Sequence, residues 1–98
     1  MKIQTEKDIF NERKEEISQY ATDNQQAVYF PDGYENGLIG WTDDGEIHAV
    51  YDYDKSIEYW ARTNNTSIED SIDNFEYNCV RSLPYLKEGR PIFIHTFQ

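Results

Sequence analysis

Basic residues are scarce in this chain. Nine lysines and arginines stand against nineteen aspartates and glutamates, leaving a formal net charge of −10 in 98 residues. Phosphate contacts need clustered Lys and Arg, so direct nucleic-acid binding is disfavoured. Cysteine occurs once, at Cys79. One thiol makes no disulfide framework, and a reducing, cytoplasmic setting is expected. No stretch approaches the ~20 apolar residues of a membrane-spanning helix. The opening Met1-Lys2-Ile3 starts no apolar signal core. Glycines 33, 37, 40, 45 and 89 form no phosphate-binding loop. With only three prolines, a disordered Pro-rich chain is also excluded.

What the chain does have is aromatic mass. Eight tyrosines, five phenylalanines and two tryptophans supply large buried areas per residue. The length suits one modest core, so residues 1–98 read as a single acidic α+β domain.

Local patterns place the elements. Thr5 to Ala21 reads as a helix, with Ile9, Phe10, Ile17, Tyr20 and Ala21 on one face and Thr5 with Asp8 as a capping box. Ala27-Val28-Tyr29-Phe30 reads as a strand stopped by Pro31-Asp32-Gly33. The stretches 37–42 and 46–53 flank Asp43-Asp44-Gly45 and predict a hairpin closed by a type I′ turn at Asp44-Gly45. That turn would pair Asp43 with Glu46, Trp41 with His48 and Ile39 with Val50. Either face, Ile39/Trp41/His48/Val50 or Leu38/Ile47/Ala49/Tyr51, has enough apolar character to meet the helices. A helix over 54–63, capped by Asp54, follows. A longer helix over 67–83 opens at Thr66-Ser67-Ile68-Glu69 and carries Ile68, Ile72, Phe75, Cys79, Val80 and Leu83 as its stripe. Pro84 ends it, and 91–97 forms the last strand. The expected architecture is a mostly antiparallel sheet of three or four strands with three helices.

Chemistry-bearing motifs are thin. Asp52-x-Asp54 and Asp43-Asp44 have metal-like spacing, but the twelfth position of an EF-hand loop begun at Asp52 is Thr63, not Glu. His48 and His95 have no ligand-spaced companion. Cys79 sits in an apolar helical stripe, where a free thiol behaves as a small hydrophobe. We therefore expect no catalytic residues, no metal and no cofactor.

The charge distribution is the informative feature. Between Asp32 and Glu76 there are twelve carboxylates opposed only by Lys55 and Arg62; outside that stretch acids and bases balance. A solvated face that keeps the chain soluble is the plain reading. Three features argue for more. The charge is segregated, and its self-repulsion costs stability. It is also interleaved with the aromatics favoured at interface hot spots. An acidic, tyrosine-rich surface fits a groove built for a polyanion, with carboxylates standing where phosphates stand. The expected partner-binding residues are Asp43, Asp44, Glu46, Tyr51, Asp52, Tyr53, Asp54, Glu58 and Tyr59, extended by Asp70, Asp73 and Glu76 if they share a side.

The strings Gly37-Leu-Ile-Gly-Trp-Thr-Asp-Asp-Gly45, Ala49-Val-Tyr-Asp-Tyr-Asp-Lys55, Ser67-Ile-Glu-Asp-Ser-Ile-Asp-Asn-Phe-Glu-Tyr-Asn78, Arg81-Ser-Leu-Pro-Tyr85 and Gly89-Arg-Pro-Ile92 carry a resemblance. Over residues 37–94 the chain resembles small uncharacterised proteins encoded by phages and prophages of low-GC Gram-positive bacteria. The resemblance brings no catalytic residues. It implies a bacterial host cell and the class of small acidic inhibitors of host defence, including anti-CRISPR and anti-restriction proteins. The expected partner is then a basic nucleic-acid-binding protein such as a Cas effector or a restriction enzyme. The alternatives are a non-catalytic phage assembly or accessory module, and a small metal-dependent hydrolase using Asp52 and Asp54.

Overall fold

The computed structural model describes residues 5–97. Helix α1 (Glu6–Asp23) leads through a loop and a short 3-10 turn (Glu35–Gly37) into strands β1 (Leu38–Asp43) and β2 (Ile47–Asp52). Helix α2 (Tyr53–Thr63) and helix α3 (Ile68–Asn74) follow; α3 runs on as a π-helical turn (Phe75–Cys79) and a 3-10 segment (Val80–Tyr85) before β3 (Ile92–Ile94). The sheet has three strands in the order β1-β2-β3. It is an α+β fold, with a mixed sheet rather than the mostly antiparallel one expected.

Helix α1 forms as its sequence dictates. The Thr5 hydroxyl accepts from the Asp8 amide at 3.1 Å and the Asp8 carboxylate accepts from the Thr5 amide at 3.2 Å. Two of the orphan donors at the helix start are satisfied reciprocally. Phe10, Ile17 and Ala21 are buried, and an aliphatic side chain as enclosed as Ile17 contributes roughly 1.5–3 kcal/mol. Polar contacts fix the docking: Arg13 Nη1 donates to the Leu38 carbonyl at 2.6 Å, and Gln26 spans the Gly45 carbonyl and the Ile47 amide.

The hairpin is present, with its register moved by one residue. Asp43 pairs with Ile47, Thr42 with His48, Trp41 with Ala49 and Gly40 with Val50. The loop is therefore Asp44-Gly45-Glu46, with Gly45 at φ +103°, a three-residue turn rather than the two-residue one expected. A bulge at Ile39, between the Leu38–Tyr51 and Gly40–Val50 pairs, turns that side chain outward. Leu38, Ile47, Ala49 and Tyr51 make the core face. Trp41 joins that side, its ring 4.4 Å from Tyr20 of α1, and leaves the expected grouping with His48.

The segment 27–30 is not a strand. It lies beside the Gly89 turn through one backbone hydrogen bond, Tyr29 to the Gly89 carbonyl at 3.0 Å. The third strand is β3, which pairs parallel with β2, Val50 with Ile92 and Asp52 with Ile94. A parallel return needs a long crossover, and α2 with α3 supplies it. An aromatic cluster closes the core between sheet and helices: Phe93 stacks on Tyr51 at 5.1 Å and meets Phe75 edge-on at 4.7 Å, while Tyr34 stacks on Trp60 at 5.3 Å.

Two caps differ from expectation. Asp52, not Asp54, caps α2, its carboxylate accepting the Lys55 amide at 3.0 Å. Ser67, not Thr66, caps α3, accepting the Asp70 amide at 3.0 Å. The helix expected over 67–83 holds α geometry only to Asn74. The wider π turn takes in an extra residue, which turns later positions by about 100°. Phe75 and Cys79 are buried, whereas Val80 is 42% exposed.

Candidate partner-binding surface

The twelve residues singled out from the sequence divide into three structural groups. At the hairpin tip, Asp43, Asp44 and Glu46 serve the turn. Asp43 accepts the Tyr20 hydroxyl at 2.6 Å and the Gly45 amide at 3.1 Å. The Tyr20 bond, helped by the Gly45 amide, holds the Asp43 carboxyl below its ordinary value; the same bond raises Tyr20. Asp44 accepts the Glu46 amide at 3.2 Å, and Glu46 accepts the Gly89 amide at 3.0 Å. The charges remain, but the side chains are committed locally.

The second group is interior. Tyr51 has no exposed surface, so it anchors the core and is not offered to a partner. Burial raises its hydroxyl, with the nearby Glu35 carboxylate adding to the push. Asp52 is 5% exposed. One of its oxygens caps α2, and the other accepts the Thr96 hydroxyl at 2.8 Å. The cap, with the Thr96 bond, holds its carboxyl below the ordinary range. A carboxylate so enclosed is a structural part. The alternation of apolar and acidic residues along 50–54 did not separate it from exposed Asp54.

The third group is a surface. Asp54, Glu58, Asp70, Asp73 and Glu76 are exposed on α2, α3 and the π turn. Tyr53 lies half-buried between two of them: burial raises its hydroxyl first, and Glu76 and Asp54 raise it further. Its ring packs on Phe75 at 5.4 Å and His95 at 4.5 Å. Asp73 and Glu76 border a cleft of about 580 Å³ with Tyr53 and Tyr77. Asp54 and Glu58 border a second, of about 510 Å³, beside Ile39 and Phe97. Tyr59 is partly buried, packs under the Arg62 guanidinium at 5.4 Å and does not line the Tyr53 cleft.

The tip acids and the helix acids do not merge. Five residue steps of β2 separate Ile47 from Asp52, roughly 17 Å at the usual strand rise. Sequence reasoning missed Tyr77, 65% exposed, and Phe97, fully exposed. Tyr77 lies off the apolar stripe of 67–83, a signal that was present in the spacing. Phe97 had none, because exposure after a final strand depends on what the sheet leaves uncovered.

Among the described residues no group of three or more His, Cys, Asp or Glu side chains is arranged to hold a metal ion. No described helix is long and apolar enough to cross a membrane. Comparison with protein-family models, curated proteins and solved structures finds no match.

Proposed function

We propose that this chain is a non-catalytic binding protein that docks its α2–α3 carboxylates on a basic nucleic-acid-binding channel. In the bacterial setting that the phage resemblance implies, the target is a defence nuclease, a Cas effector or a restriction enzyme, and the protein is its inhibitor. One observation carries the reading. Asp54, Glu58, Asp70, Asp73 and Glu76 are exposed, and their carboxylates make no hydrogen bond or ion pair among the described residues. Free carboxylates flanking Tyr53 and Tyr77 offer charge for Lys and Arg and rings for packing. Association through such a surface is fast and sensitive to salt.

A second reading is favoured by Ile39, Ile94 and Phe97, exposed apolar side chains on or beside the sheet. A non-catalytic assembly or accessory module would dock through them and keep its acids for solubility. The hydrolase alternative loses Asp52 to its cap and Thr96 bonds.

The test is retention of a basic nuclease from a bacterial lysate on the immobilised protein, washed at low and then high salt. The expected result is elution by salt, with retention cut at least tenfold by Asp54→Asn, Glu58→Gln, Asp73→Asn and Glu76→Gln together. Undiminished retention by that folded variant sinks the electrostatic reading, and salt-resistant retention lost with Phe97→Ser establishes the second.

A further inference from the structure

The α3 ridge has two sides. Asp73 and Glu76 face the Tyr53 cleft, while Asn74 and Asn78 line a different cleft of about 220 Å³ on the other side, with Tyr29, Asp32, Tyr34 and Trp60. This volume exceeds the ~150 Å³ that suffices for a benzene ring. Its chemistry is one-sided. Three aromatic rings form walls, Asp32 supplies a carboxylate, and no lysine, arginine or histidine lines it. Asp32 is exposed and makes no hydrogen bond or ion pair among the described residues. Asn74, one of the lining residues, has its Oδ1 atom enclosed without a hydrogen-bond partner. A buried polar atom left unpaired is uncommon.

Two features hold this cleft in shape. Gly33, at φ +98°, lets the backbone lie so close to Trp60 that an added Cβ would stand 2.3 Å from the indole ring. The π turn carries Asn78 and Cys79 on the same widened loop of helix, and such turns recur at functional sites.

We infer that this cleft receives a guanidinium group, presented by an arginine side chain of the basic partner. Guanidinium is planar, carries five donors and no acceptor, and stacks on aromatic faces while pairing with carboxylate. The planar face answers the aromatic lining, and the charge with its donors answers the exposed Asp32 carboxylate. The partner as the source of the arginine rests on the proposed function; the chemistry of the cleft does not.

The experiment is a titration of the isotope-labelled full chain with Nα-acetyl-arginine methylamide, read by nuclear magnetic resonance. Saturable shifts are expected at the Trp60 indole N–H and the Asn74 and Asn78 side-chain amides. The neutral citrulline analogue should bind at least tenfold more weakly, and Asp32→Asn, at an exposed loop position, should weaken arginine binding at least tenfold with the spectrum otherwise preserved. Absence of shifts at these groups, or equal binding of citrulline, overturns the inference. In the lysate assay, Asp32→Asn should release the nuclease at lower salt; release at unchanged salt rules out the partner's arginine as occupant. Arginine binding without any salt-eluted nuclease leaves the cleft standing and removes the docking reading alone.

Discussion

Asp52 and Thr96 meet through a 2.8 Å hydrogen bond that ties the start of α2 to the chain leaving β3. Because the other Asp52 oxygen caps α2, this one carboxylate holds both ends of the crossover. Asp52→Ala should therefore destabilise the fold by about 2–3 kcal/mol, combining a lost N-cap with a lost charged hydrogen bond. Asp52→Asn keeps one acceptor, for the Lys55 amide, and presents its NH2 to the Thr96 hydroxyl, which then accepts instead of donating; it should cost about 1 kcal/mol or less. Urea unfolding followed by circular dichroism measures both, and a double-mutant cycle with Thr96→Val should return a favourable coupling. Equal stability of the alanine variant and the parent would remove Asp52 from the structural role.

Acid should act through the same residue. Asp52 and Asp43 have folded-state values below their ordinary ones, for the hydrogen-bonding reasons given above. A depressed carboxyl contributes stability that is fully present above the unfolded value of about 3.9 and is lost as pH falls through the folded value. The midpoint temperature should fall on acidification below about pH 4. Asp52→Asn should flatten that limb while lowering the plateau at neutral pH. A parallel offset at all pH values would show that Asp52 titrates alike in both states.

Salt should stabilise the protein. The five unpaired carboxylates of α2, α3 and the π turn repel one another, and counter-ions screen them over about 8 Å at physiological ionic strength. Raising sodium chloride from about 20 to about 300 mM should raise the midpoint temperature. The variant neutralised at Asp54, Glu58, Asp73 and Glu76 should start higher and respond less. The same variant tests partner retention, so a preserved fold with lost retention separates function from stability.

The sequence displays local structure well and non-local structure poorly, for identifiable reasons. The Thr5–Asp8 capping box, the hairpin and the existence of α2 and α3 follow from neighbours in the chain. The one-residue error in hairpin register arises because Asp43 and Asp44 each accept a turn amide, which favours the longer loop, and because the bulge at Ile39 absorbs the difference. Asp52, which caps α2, also bonds Thr96, forty-four residues away, a contact outside the reach of any local pattern. The parallel pairing of β3 is likewise set by a distant strand, which no local pattern records. Within the candidate surface, Asp54, Glu58, Asp70, Asp73 and Glu76 were legible as charge. The burial of Tyr51 was not, since both faces of the hairpin alternate plausibly and only the helices select one.

Gly37 gives a sharper test of how the 3-10 turn packs on α2. A Cβ there would stand 1.9 Å from Ser56 Oγ and 3.0 Å from Ser56 Cβ, and Ser56 is wholly buried with its hydroxyl donating to the Asp52 carbonyl at 2.8 Å. Gly37→Ala should thus cost about 1–3 kcal/mol, the usual range for overpacking. Ser56→Ala removes the nearer atom and should recover part of that loss in the double variant, although alone it destabilises by about 1 kcal/mol through its lost hydrogen bond. The cycle is diagnostic because the two losses would simply add if the residues did not touch. Additive losses within error would place the turn farther from α2 than this geometry requires. Partial rescue would fix the wall that positions both the Asp52 cap and the acids displayed beyond it.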